Sequence, residues 1–182
     1  ITVEDVSEIQ EMYLDIERKQ LIAVCDGYVG GKWNDDDYGY GQRANTTAVT
    51  YDISDRENPK EVGRVSQSGY YNSSRIADGY LYLFSDYYVT LDGITAKNPK
   101  SYIPLVNDNL IEETDICLPS ISKADMYSII TSVSLENPNE TAHSKALLAD
   151  GGNLYVSNDN IYFYENVWQY SGKDVTTIRK VS

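Results

Sequence analysis

Histidine is almost missing: the 182 residues hold one, His143. Catalysis of the Ser-His-Asp or Cys-His kind would have to use it. It opens an expected outer strand, a poor seat for an active site, and reads as a surface side chain. Cysteine is nearly as scarce, with Cys25 and Cys117 far apart in the chain. One histidine and two distant cysteines do not supply the three or four ligands of a zinc site. The cysteine pair is either a disulfide closing a long loop in an exported protein or two separate thiols. No glycine-rich loop leads into a helix, so the usual phosphate cradle is not there.

Basic side chains are outnumbered, 15 Lys and Arg against 28 Asp and Glu, for a net charge of −13. Nucleic acid and anionic membrane surfaces need cations to neutralise phosphate, which argues against both as partners. No apolar run approaches the ~20 residues of a membrane helix, so no membrane insertion is expected of this segment. No export signal leads the chain, and residue 1 is Ile rather than Met. The sequence therefore reads as a trimmed piece of something longer, and the missing signal says nothing about export.

What the chain has is tyrosine, 17 copies against two Phe and two Trp. Tyr suits half-buried strands, where the ring packs and the hydroxyl stays wet. The chain also repeats itself. Ser74-Arg-Ile-Ala-Asp-Gly-Tyr-Leu-Tyr-Leu-Phe-Ser-Asp-Tyr aligns with Leu154-Tyr-Val-Ser-Asn-Asp-Asn-Ile-Tyr-Phe-Tyr-Glu-Asn. With two extra residues it aligns with Met12-Tyr-Leu-Asp-Ile-Glu-Arg-Lys-Gln-Leu-Ile-Ala-Val-Cys. A second element recurs between them, Tyr51-Asp-Ile-Ser-Asp-Arg-Glu-Asn-Pro-Lys-Glu and Val133-Ser-Leu-Glu-Asn-Pro-Asn-Glu. Repeated blocks of short strands cannot bury their own apolar faces, so they must stack.

Strands are expected in sets of four: 8–14, 20–25, 47–53 and 61–66, then 72–77, 80–85, 127–134 and 143–149. The set begins again at 153–157 and 160–165, and stops after 176–181. These runs are rich in Val, Ile, Tyr and Leu and are bounded by turn chemistry. Asp78-Gly79 and Asn158-Asp159-Asn160 supply residues that tolerate positive φ. Asn58-Pro59 and Asn137-Pro138 close the other hairpin, because Pro presets φ and stops pairing. The expected fold class is all-β. The architecture is a β-propeller segment of about three four-stranded antiparallel blades, near 8–66, 72–149 and 153–181. A closed propeller usually needs at least four blades, so either the segment belongs to a larger propeller or copies associate. If Ile1–Val6 forms an outer strand, it could complete the third blade, between two chains rather than within one.

Insertions at 26–46 and 86–126 break the pattern, the second with room for a short helical turn in 107–126. Both join a second strand to a third, so both should emerge at one end of the blades, and long loops on a rigid scaffold carry binding. The second, with Tyr102-Ile-Pro-Leu-Val, should pack onto that end. The first holds Trp33-Asn-Asp-Asp-Asp-Tyr-Gly-Tyr. Asp35, Asp36 and Asp37 are either a solvated acidic loop or a calcium site, and their spacing is not that of an EF-hand. No other cofactor is expected.

Tyr51-Asp-Ile-Ser-Asp-Arg-Glu-Asn-Pro-Lys-Glu-Val, Gly69-Tyr-Tyr-Asn-Ser-Ser-Arg-Ile-Ala-Asp-Gly-Tyr-Leu-Tyr-Leu-Phe-Ser, Tyr102-Ile-Pro and Tyr127-Ser-Ile-Ile-Thr-Ser-Val-Ser-Leu together resemble a known family. It comprises bacterial and archaeal secreted proteins with a C-terminal β-propeller domain. The resemblance implies an exported or cell-surface propeller of no established activity, from a protein longer than this chain, with no catalytic residues to carry over.

The function expected is non-catalytic binding of a protein or glycan by the end that bears the long loops. Candidate contacts are Trp33, Tyr38, Tyr40, Tyr70, Tyr71, Tyr87, Tyr88 and Tyr102, each aromatic and in a loop or at a strand end there. The alternatives are an enzyme on extracellular polysaccharide using paired acidic loop residues, and a structural spacer at the cell surface. Exposed strand edges of an incomplete propeller also favour self-association.

Overall fold

The computed structural model describes residues 1–29, 43–89, 97–118, 125–149, 153–156, 160–168 and 174–181. The described residues are built almost wholly of strands, in three sheets. The first contains β1 (Glu8–Asp15), β2 (Gln20–Val29), β3 (Arg43–Asp52) and β4 (Lys60–Ser68), paired antiparallel in chain order. The second contains β5 (Tyr70–Ala77), β6 (Tyr80–Tyr88), β10 (Met126–Ser134) and β11 (Thr141–Ala149), in the same order. The third contains β12 (Asn153–Val156), β13 (Ile161–Trp168) and β14 (Asp174–Val181).

Alternating side chains give each sheet two faces. Ile22, Val24, Ala48 and Val65 of the first sheet, with Leu81, Leu83, Ile129 and Val133 of the second, form one buried core between the two. Each of the Val, Leu and Ile side chains contributes roughly 1.5–3 kcal/mol by leaving water, which neither sheet could obtain alone. Turn chemistry sets the register. Asp78 and Gly79, at φ 51° and 80°, reverse the chain tightly between β5 and β6. The link from the first sheet to the second is Gly69, at φ 98°, where a Cβ would lie 2.6 Å from the Asp86 carbonyl. Only glycine passes there without strain.

The described part of the second insertion runs along the outer strands and also reaches the loop-bearing end, where the Leu105 amide donates to Ser68 Oγ at 2.9 Å. Its short β7 (Leu105–Val106) pairs with β4, and β8 (Asn109–Leu110) turns back on β7. Asn107 and Asp108, at φ 46° and 62°, make that turn. Further on, β9 (Ile116–Cys117) adds parallel to β11. Between them Val106 and Ile111 enter the inter-sheet core. The physical reason is edge protection: β4 and β11 would otherwise expose unpaired backbone groups along their outer sides. The helical turn expected in 107–126 is a 3₁₀ turn at Glu113–Asp115, and a second lies at Pro99–Ser101.

Residues 1–6 form no strand and do not join the third sheet, which has three strands among the described residues. They lie instead against the first sheet. The Glu4 carbonyl accepts the Arg64 guanidinium at 3.3 Å, and Asp5 and Val6 sit over Gly27. The two cysteines are separate thiols, Cys25 buried in β2 and Cys117 exposed in β9.

Candidate functional site

Strand alternation brings the ends of β2, β4 and β6 and the starts of β1, β3, β5 and β10 together at one end, where both insertions also emerge. The same two-residue device braces this end in both sheets. A bulge interrupts β1 between Ile9 and Glu11, and β5 between Tyr71 and Ser73. The bulge residues, Gln10 and Asn72, turn their amides toward the neighbouring strand. Gln10 Nε2 donates to Asp26 Oδ2 at 2.9 Å, and Asn72 Nδ2 donates to Asp86 Oδ2 at 2.6 Å. The second oxygen of Asp26 accepts the Tyr71 amide at 2.9 Å and so ties the first sheet to the second. That of Asp86 accepts the Ser128 hydroxyl at 2.9 Å. Ser85 Oγ donates to the Ser68 carbonyl at 2.7 Å, and Gln67 Nε2 donates to Ser85 Oγ at 2.7 Å.

Tyr70 and Tyr88 stand exposed on this braced end. Tyr70 pairs with Asp86, and Tyr88 lies two residues beyond it on β6. The three side chains therefore share one side of the sheet, with the rings on a diagonal that long side chains span. The arrangement places two exposed aromatic side chains on the same side of the sheet as a fixed carboxylate. Among the described residues each Asp86 oxygen accepts a hydrogen bond, of the about four lone-pair sites that a carboxylate offers.

A polar cluster lies beside this end, between the first strands of the two sheets. Glu11 Oε2 accepts the Tyr71 hydroxyl at 2.5 Å and the Ser74 hydroxyl at 2.7 Å, and Tyr13 Oη lies 2.9 Å from Ser74 Oγ. Partial burial alone would raise the Glu11 pKa, but the hydrogen bonds from Tyr71, Ser74 and Tyr13 outweigh it and hold the carboxyl below its ordinary value. Burial first, and then the Glu11 carboxylate, push Tyr13 and Tyr71 up to about 12. These phenols are the opposite of activated nucleophiles; the cluster pins two sheets together.

The aromatic candidates separate on this geometry. Tyr70 and Tyr88 come together, while Tyr71 gives its hydroxyl to Glu11. Tyr87 is buried and stacks on Tyr127, with ring centroids 6.4 Å apart. Its expected place at a ligand is therefore corrected: β6 alternates, so of the adjacent pair Tyr87 points into the core and Tyr88 out of it. Tyr102 is half-buried at the end of the Pro99–Ser101 turn, on the lateral insertion. Trp33, Tyr38 and Tyr40, and the acidic run Asp35, Asp36 and Asp37, lie outside the described residues. Among the described residues no three His, Cys, Asp or Glu side chains gather as a metal would need. No described helix is long and apolar enough to cross a membrane. Asp26 and Asp86 were missed by sequence reasoning; the signal was available in the repeat, where Cys25-Asp26 and Ser85-Asp86 occupy one station.

The opposite end carries a cleft of about 430 Å³, lined by Arg18, Asp52 and Glu136 to Glu140. It is polar and shallow, and arises where the β10–β11 turn docks on β4. Asn139 Oδ1 accepts the Arg64 amide, Asn139 Nδ2 donates to the Val62 carbonyl, and Pro138 lies on Gly63. His143 lines a second groove of about 300 Å³, beside Glu112 and Asp115 of the lateral insertion.

The family model described as "Beta propeller domain" matches residues 1–182. No curated protein and no solved structure matches the chain. Antiparallel sheets packed face to face, with one bracing device at one station of successive sheets, are what a bladed repeat requires, and the chain belongs to the beta propeller domain family.

Proposed function

We propose that this chain is a non-catalytic binding module of an exported or cell-surface protein, and that its loop-bearing end recognises a glycan or a protein segment. The observation that carries the reading is the exposed pair Tyr70 and Tyr88 sharing a side of the sheet with Asp86 on a hydrogen-bonded, rigid end. Aromatic rings offer apolar area at low entropic cost, and the carboxylate accepts hydrogen bonds from hydroxyls or amides. A glycan fits this set well, having C–H faces for the rings and hydroxyls for Asp86. Binding rather than hydrolysis is favoured because the hydrogen bonds to Asp26 and Asp86 give both carboxylates a bracing role.

The test is a titration of extracellular polysaccharides and surface proteins by calorimetry, with Tyr70→Ala and Tyr88→Ala as controls. Each variant is expected to weaken binding about tenfold, or ~1.4 kcal/mol, with unchanged melting temperature. A ligand whose affinity ignores both substitutions overturns the assignment. Turnover of a bound polysaccharide overturns the non-catalytic reading.

A further inference from the structure

The acceptor motif for N-linked sugar, Asn-x-Ser/Thr with x other than Pro, stands at three places: Asn45-Thr46-Thr47, Asn72-Ser73-Ser74 and Asn139-Glu140-Thr141. The sequence treats the three alike, but their surroundings differ. Asn45 lies in β3 between two paired strands, and Thr46 and Thr47 are buried. Its Nδ2 donates to Ser66 Oγ at 2.5 Å, and its buried Oδ1 has no partner among the described residues. A sugar has no room beside so enclosed an amide. Asn139 is exposed, but its amide faces the edge of β4, with Oδ1 on the Arg64 amide and Nδ2 on the Val62 carbonyl. Sugar attachment makes a secondary amide, and the trans preference sets the sugar carbon on the Oδ1 side of the nitrogen. That is the side where β4 lies, so a sugar on Asn139 would undock the turn. Asn72 differs from both. It is exposed at the β5 bulge, outside the strand pairing, and its Nδ2 donates to Asp86 Oδ2 at 2.6 Å. A sugar can replace one amide hydrogen there while the other keeps Asp86.

We propose that Asn72 is the acceptor of an N-linked glycan in the folded protein, an inference that rests on the exported or cell-surface reading above. The donor is an oligosaccharide carried on a lipid phosphate. Asn72 Nδ2 bonds to the anomeric carbon, the bond from that carbon to the phosphate oxygen breaks, and the amide proton goes to the departing lipid phosphate. The motif is read through its hydroxyl, and Ser74 Oγ donates to Glu11 across the two sheets at 2.7 Å. Transfer therefore precedes the packing of the second sheet on the first, and the fold then decides which modified chain can form. The glycan stands on the loop-bearing end beside Tyr70, so it also governs how open that end is to an outside ligand.

Secretion of the chain, behind an added export signal, from a host that attaches N-linked glycans tests this. The intact mass should exceed 20.5 kDa by one glycan, which peptide N-glycosidase releases and peptide mapping places at Asn72. Asn72→Gln and Ser74→Ala should each remove it, Ser74→Thr should keep it, and Thr141→Ala should leave it in place. Circular dichroism establishes that each variant is folded, and mapping of the unaltered chain decides the site if one is not. A folded, secreted chain without sugar at Asn72, or with sugar at Asn45 or Asn139, overturns the proposal. Because the export signal is supplied, the export reading is tested apart, by fractionating native cells. A chain confined to the cell interior overturns that reading, while the mass from the host still decides the acceptor.

Discussion

Cys25 and Cys117 differ in the two properties a thiol reagent senses. Burial pushes the Cys25 thiol up from its ordinary value, and β2 encloses it; Cys117 stands exposed. A disulfide-exchange reagent is expected to label one thiol per native chain quickly, at Cys117, and both only after unfolding. Two rapid equivalents in the native state would contradict the placement of Cys25. Composition left the pair open between bonded and separate, because a pairing needs two Cα positions within about 7 Å and spacing does not give them. The Glu11 cluster makes a second residue-scale prediction. Glu11 titrates lower folded than its unfolded 4.5, so its contribution is present above 4.5 and lost as pH falls through the folded value. Tyr13 and Tyr71 go the other way: their contribution is full below 10 and lost as pH rises toward about 12. Melting temperature should hold through neutral pH and fall in both directions, with Tyr71→Phe shallower than wild type above pH 10. An identical alkaline slope in both proteins would remove the cluster from the account.

Strands and short turns were the elements most legible in the sequence. Asp78-Gly79 and the alternating runs around it give local reasons for β5 and β6, and the structure has them. The lateral insertion was not legible, for a physical reason: β7 and β9 are two residues long, too short to show a period, and they exist because outer edges nearby need partners. The bulges at Gln10 and Asn72 were hidden likewise, since an extra residue in a strand has no sequence signature beyond a broken alternation. The repeated Asn-Pro turn was legible as a turn but not as a contact. Docked on β4, Pro138 leaves no room for a side chain at residue 63, where a Cβ would lie 2.5 Å away. Gly63→Ala should cost about 1–3 kcal/mol in denaturant unfolding, as overpacking does. An unchanged midpoint would show that the turn does not sit there.

At the scale of the molecule, the packing of the first sheet on the second was legible, and strand alternation fixes at which end each connection leaves them. The candidate site was legible only in part. Adjacent aromatics such as Tyr87 and Tyr88 look alike in sequence, and pairing decides which one faces water. The bracing carboxylates needed the two repeats to be superposed in space. The account's central claim is that recognition belongs to the braced, loop-bearing end rather than to the polar cleft opposite. One comparison tests it most directly: affinity for a captured ligand in a Tyr70→Ala, Tyr88→Ala double variant and in an Arg18→Ala, Glu136→Ala double variant. The account predicts that the first loses binding by more than about tenfold while the second binds as wild type does. Binding kept by the first and lost by the second would place the site at the cleft and contradict it.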